Sequence, residues 1–182
     1  MGRHEKSVYL TFDDGPIPES TPFILATLKE MDIKATFFMV GQNVERYPEL
    51  FEQIKAHGHQ IGNHTYNHIG GLRHSIKSYC ANVEKADNLI HSDLFRPPHG
   101  WMKWSQYISL GKDYRIIMWD LVTRDYSKWM TSQGILNNVK RYARNGSIIT
   151  FHDSLKSIDK LKYALPESLK WLKEQGYEFK TF

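Results

Sequence analysis

Apolar positions along this chain switch repeatedly between a strand spacing and a helix spacing. Short runs rich in β-branched and aromatic residues occupy 8–12, 35–40, 59–63, 115–119 and 147–152, with a weaker run at 93–95 and a last one at 177–180. Each reads as a strand. Between them, Phe23, Ile24, Leu28 and Met31 share one face of a helix expected over 21–31, with Pro22 suited to its first turn. Leu50, Phe51 and Ile54 form a second apolar face that stops at Gly58, and Ile76, Tyr79, Cys80, Val83 and Ile90 form a third. Ile135, Leu136, Val139 and Tyr142 repeat at helical spacing, as do Leu165, Leu169 and Leu172 before Gly176. Strand and helix alternating at this density predict parallel βα units, and a barrel or an open sheet satisfies the pattern equally.

Composition narrows the class. At 182 residues, 41% of them hydrophobic, the chain is the size of one domain with a sizeable core, and a single domain over 1–182 is expected. No run of about 18 apolar residues exists, so no transmembrane segment is expected. No apolar stretch near Met1 resembles a signal peptide, which leaves the compartment open. The net charge of +4 and the lack of a Lys/Arg block argue against nucleic acid. Residues 1–100 hold 10 Lys/Arg against 12 Asp/Glu, and residues 101–182 hold 14 against 8. The basic second half admits an anionic polymer as partner, or only a solvated surface. Cys80 is the sole cysteine, so an internal disulfide is ruled out and any metal must take His and carboxylate ligands. A monomer is expected.

The polar residues gather at the ends of the expected strands. Asp13 and Asp14 follow the first, Asn63 and His64 the third, and Arg96 the weak run; Asp120 and Asp125 follow 115–119, and His152 and Asp153 close 147–152. Parallel α/β folds collect their active-site groups at that rim. Two adjacent carboxylates ending a half-buried strand are costly without a positive partner. His64 and His68, four apart, can face one cation if the chain turns helical after the strand. Two imidazoles and a carboxylate suit a catalytic divalent site, zinc foremost, with positions left for water and substrate.

Five motifs then stand in order: TFDDGP at 11–16, HTYNH at 64–68, RPPHG at 96–100, WDLVTRDY at 119–126 and ITFHD at 149–153. Together they resemble the polysaccharide deacetylases of the NodB-homology class, carbohydrate esterase family four, over residues 9–182. The resemblance implies a distorted (β/α) barrel of about seven βα units and a hydrolase that removes acetyl groups from glycans with a divalent metal, Zn2+ or alternatively Co2+ or another such ion. It implies Asp14, His64 and His68 as metal ligands and Asp13 as general base, with Arg96 holding Asp13. It further implies His152 as general acid oriented by Asp125, and the backbone N–H of His99, the first donor after two prolines, at the oxyanion. An acetylated carbohydrate is the implied partner and an extracytoplasmic location the implied setting.

Departures from the family pattern bear on substrate. His99 replaces a common aromatic, Val122 a frequent aspartate, Tyr126 a frequent tryptophan, and Thr150 a leucine that packs on the acetyl methyl. Trp101, Trp104, Tyr126 and Trp129 cluster near motifs three and four and are expected either to stack on sugar rings or to join the core. N-acetylglucosamine polymers, including peptidoglycan, are favoured over O-acetylated xylan. A glycan-binding pseudoenzyme and a metal-dependent phosphoesterase are the other classes weighed; the first would lack a ligand or the base, the second would want more carboxylates.

Overall fold

The computed structural model describes residues 5–182. Eight strands are present: β1 (Ser7–Asp13), β2 (Thr36–Met39), β3 (Gln60–Asn63), β4 (Leu94–Phe95), β5 (Arg115–Ile116), β6 (Leu121–Val122), β7 (Ser147–His152) and β8 (Glu178–Lys180). Seven α-helices accompany them: α1 (Thr21–Glu30), α2 (Gly41–Arg46), α3 (Pro48–Ala56), α4 (Ile76–Ile90), α5 (Trp104–Leu110), α6 (Ser132–Tyr142) and α7 (Ile158–Glu174). The strands form one curled parallel sheet in the order β5-β4-β3-β2-β1-β7-β6, with β8 paired to the first half of β1. This is a distorted (β/α) barrel of about seven units, with β5 and β6 at the two ends of the hydrogen-bonded path.

The central strands are buried on both faces, which is why they read as continuous apolar runs. From β1, Val8, Leu10 and Phe12 face the helices, and Phe12 stacks on Phe37 at 5.1 Å and on Phe151 at 5.9 Å between centroids. Leu161, Leu165, Leu169 and Leu172 of α7 close that layer, and α7 runs through Pro166. The opposite face of β1 carries Thr11 and Asp13. There the packing is small and partly polar: Phe38, Leu94 and Ile117 beside Thr11, Thr150 and the fully buried Arg96. Helix starts follow local chemistry. Pro22 sits in the first turn of α1, Ser75 caps α4 by accepting from Ser78 N at 3.2 Å, and Thr131 caps α6 by accepting from Gly134 N at 3.0 Å.

Several expectations need correction. The strand expected over 115–119 stops at Ile116, and a separate β6 pairs with β7 at Ile149 and Thr150. No helix separates β5 from β6. The short α2 and α5 were not expected; α5 leaves Trp104, Tyr107 and Ile108 exposed, so it carries no clean apolar stripe. Asp120 precedes β6 rather than ending a strand, and its carboxylate accepts from Ile148 N at 3.0 Å, away from the cluster at the rim. Trp101, Trp104, Tyr126 and Trp129 are all exposed, which excludes them from the core.

Candidate active site

Asp13 is the last residue of β1, and its Oδ1 lies 2.6 Å from Arg96 Nη1, which donates to it. Arg96 directly follows β4, and two further carbonyls take the rest of its head group: Nε donates to Ile117 O at 3.1 Å and Nη2 to Met118 O at 3.0 Å. Thr11 and Thr150 hydroxyls lie 2.8 and 3.2 Å from Nη1, and the guanidinium lies 4.1 Å from the centroid of Phe38. Burial pushes the Arg96 pKa down and Asp13 opposes that shift. A guanidinium this enclosed persists because every face has a partner.

Asp14 follows with φ +83°, which turns its carboxylate away from the strand line. The next residue admits no side chain, since a Cβ on Gly15 would lie 2.0 Å from Asp153 Oδ2. Asp153 itself is buried, receives the Ser20 and Thr21 hydroxyls, and donates its N–H to Asp13 O at 2.7 Å. Burial pushes its carboxyl up to about 7, against the pull of those two hydroxyls. Asn43 of α2 donates to Asp14 O at 2.8 Å. Thus Asp153 ties motif one to motif five and to Ser20 and Thr21, and Asn43, outside the motifs, ties it to α2.

His64 and His68 do converge on Asp14, but the helix expected between them is absent. Thr65 and His68 take positive φ of 65° and 56°, and Asn63 Oδ1 accepts from Thr65 N at 2.9 Å, which turns the chain sharply after β3. Thr65 Oγ1 then accepts from Ile69 N at 3.1 Å, and Asn82 of α4 accepts from Tyr66 N at 2.9 Å. His64 Nε2 lies 3.7 Å and His68 Nε2 3.2 Å from Asp14 Oδ1, and the candidate ligand atoms of the three residues lie within 4.8 Å of one another. His64 Nδ1 is 2.7 Å from Arg96 O, which can only accept, so Nδ1 carries the proton and Nε2 keeps its lone pair. Burial holds the His64 pKa down at about 4, so the ring is neutral. Burial pushes Asp14 up, but the His68, His64 and His152 imidazoles more than offset it and leave the carboxyl below its ordinary range.

Asp14 Oδ1 is buried without a hydrogen-bond partner among the described residues. A buried carboxylate oxygen with no hydrogen-bond donor in line, facing two imidazole nitrogens, fits a divalent cation. The donor set, two nitrogens and one oxygen, is the one a catalytic zinc-type ion takes while leaving positions free.

Across the pocket, His152 ends β7. Its Nδ1 is 2.7 Å from Asp125 Oδ1, and its backbone N–H donates to Asp125 Oδ2 at 2.7 Å, so the carboxylate grips the residue at two points. Burial pushes the imidazole pKa down, but the Asp125 hydrogen bond and charge, with Asp13 and Asp14 behind them, raise it to about 9. Asp125 is fully buried and pairs with His152, not with Arg124. Tyr126 stands edge-on to His152 at 4.7 Å. His99 has φ +61°, and its exposed ring meets His68 edge-on at 4.9 Å.

These groups surround one open pocket of about 610 Å³, bordered also by Trp119, Val122, Thr150 and Lys156. It joins a cation site, a buried carboxylate held by arginine and an imidazolium held by carboxylate, a set that can polarise a carbonyl, take a proton from water and give one to a leaving group. Asn43 and Lys156 were not singled out from sequence, because an asparagine in a short helix and a lysine in a turn carry no spacing signal; Trp119 heads motif four but has no role of its own in that motif's reading.

The sequence profile described as Polysaccharide deacetylase matches residues 1–109. A peptidoglycan-N-acetylglucosamine deacetylase of Bacillus cereus is 34% identical over 98% of this chain and 87% of its own. The crystal structure of a peptidoglycan N-acetylglucosamine deacetylase superposes with TM-score 0.90 at 32% identity, covering 100% of this chain and 88% of that one. A carbohydrate esterase family four pseudoenzyme from Bacillus anthracis superposes at 0.86 with 27% identity, over 98% of this chain and 64% of that one. By profile, relatives and fold alike, the chain belongs to the polysaccharide deacetylase family, carbohydrate esterase family four.

Proposed function

We propose that this protein deacetylates an N-acetylglucosamine-containing glycan, peptidoglycan foremost, with a divalent ion, zinc first among candidates, held by Asp14, His64 and His68. The observation that carries this reading is the convergence of three differently compensated groups on one pocket: Asp13 on Arg96, Asp14 on two imidazoles, and His152 on Asp125. The bound cation supplies Lewis acidity toward water and the acetyl oxygen. Asp13, held in place by Arg96, takes one proton from the water whose oxygen attacks the acetyl carbon. The His99 N–H serves the developing oxyanion. His152, protonated on the nitrogen that faces away from Asp125, gives its proton to the departing nitrogen as the C–N bond breaks, releasing acetate and a free amine. An amine leaves poorly without that proton, so a His152 held charged by Asp125 favours N-acetyl over O-acetyl substrates.

Relatives named for peptidoglycan support the substrate class, and a pseudoenzyme of the same fold makes activity the decisive measurement. Acetate release from N-acetylated peptidoglycan and chitin oligomers is expected to stop with chelator and return with Zn2+ or Co2+. Asp13→Asn is expected to keep the metal and lose at least about 100-fold in rate, the scale of a general base. No acetate from any glycan, or an Asp13→Asn enzyme as fast as wild type, overturns the reading.

A further inference from the structure

The wall of the pocket built by motifs four and five carries positive charge that the chain does not use. Lys156, in the turn between β7 and α7, borders the pocket and is exposed. Among the described residues no carboxylate lies within ion-pair distance of it. The acids close to it in the chain and in the adjoining loop have other partners: Asp153 has Ser20 and Thr21, Asp125 has His152, and Asp159 has Lys162. The loop after β6 adds Arg124 and Lys128, exposed and equally without an ion pair, and Lys160 Nζ donates to Ser127 O at 2.9 Å, which ties that loop to α7. Deeper in the site, Arg96 is spent on Asp13 and is closed off from the pocket. Lys156 is therefore the one Lys or Arg among the residues bordering the pocket, and its charge is free for whatever fills it.

We propose that Lys156, backed by this loop, makes the pocket selective for a glycan that bears a carboxylate beside the sugar being deacetylated. The proposal rests on the deacetylase reading and narrows its substrate to acidic glycans. The acetyl-bearing sugar sits over the Asp14 cluster, so the adjoining residue of the chain reaches the rim where Lys156 stands. A flexible ammonium tolerates several carboxylate positions, unlike a bidentate arginine, so both a lactyl ether acid and a uronic acid fit the same chemistry.

The test uses matched N-acetylated oligosaccharides whose neighbouring sugar carries a free lactyl carboxylate, a free uronic carboxylate, or either group converted to its amide. For wild type, kcat/KM is expected to favour the free acid about fivefold at low salt, the scale of one partly exposed ion pair. The ratio is expected to shrink toward one at about 1 M salt, where the Debye length is about 3 Å. Lys156→Met brings it to about one, Lys156→Glu takes it below one, and Lys112→Met, at the foot of β5, keeps it. The two acids separate the sources: a preference confined to one names the carboxylate that Lys156 reads. A wild-type ratio near one for both acids, a ratio that survives in Lys156→Met, or one lost equally in Lys112→Met overturns the proposal. If no glycan releases acetate, the deacetylase reading fails by itself, and calorimetric binding of the same acid and amide pairs decides Lys156 by the same ratio.

Discussion

Asp13 and Asp14 are adjacent in sequence and opposite in how their charge is met. Asp13 is buried against a guanidinium that four protein oxygens besides its own also engage, so its compensation lies wholly within the fold. Asp14 has one buried oxygen with no hydrogen-bond donor in line and two imidazoles 3.2 and 3.7 Å away, so within the fold it meets only imidazoles, in an arrangement that has room for a cation between them. A carboxylate paired inside the fold can serve as a base without leaving its place. A carboxylate met only by imidazoles can share a metal with them without first giving up a guanidinium.

Breaking the internal pair is expected to have the largest effect. Arg96→Met leaves Asp13 buried without its cation and is expected to destabilise the protein by about 3–5 kcal/mol, read in denaturant unfolding. Stability within about 1 kcal/mol of wild type would show that the pair is not the support inferred for it. Asp14→Ala or His64→Ala strikes the other side of the comparison. Zn2+ affinity is expected to fall at least about 100-fold in equilibrium dialysis, since each removes a proposed ligand and not merely a residue supporting one. Full occupancy in both variants would place the metal elsewhere.

The pH dependence of His152 sharpens the contrast further. Its folded pKa of about 9 stands above the ordinary value of 6.5, so its stabilisation is complete below the ordinary value and is lost as pH rises through about 9. Asp125→Asn removes the largest favourable contribution, and the alkaline limb of the pH-rate profile is expected to move toward lower pH. Metal loading should move the His152 titration, followed by NMR, the same way, because a cation at Asp14 cancels one of the charges that raise it. An unmoved limb in Asp125→Asn would detach Asp125 from the acid. The smallest effect belongs to Thr150→Val, which takes one hydroxyl from the Arg96 enclosure and is expected to cost about 1 kcal/mol in unfolding. A loss as large as that of Arg96→Met would mean the enclosure has no redundancy.

Much of this arrangement was legible along the chain, and unevenly so. β7 occupies 147–152 as expected, and α4 starts at Ile76 and ends at Ile90, because long apolar periodicities are local signals. The two-residue β6 was invisible, since it exists only by pairing with β7. The His64 and His68 pair was correctly brought to Asp14, but for the wrong reason. The turn depends on Asn63 accepting from Thr65 N and on Asn82, from α4, accepting from Tyr66 N.

Sequence by itself determined the alternation of strands and helices, the polar groups gathered near strand ends, and a ligand set limited to His and carboxylate by a single cysteine. Those follow from residue type and spacing, which act over a few positions. Residue type and spacing did not say which of the two adjacent carboxylates meets a guanidinium and which meets imidazoles; the family resemblance implied it, and the tertiary structure gives its physical basis. Arg96 reaches Asp13 from 83 residues away, and the Arg96 carbonyl sets the tautomer of His64 from 32 away. The placing of Lys156 on the pocket rim is of the same kind. Such contacts are made when β1, β3, β4 and β7 are laid side by side, and no short-range pattern encodes them.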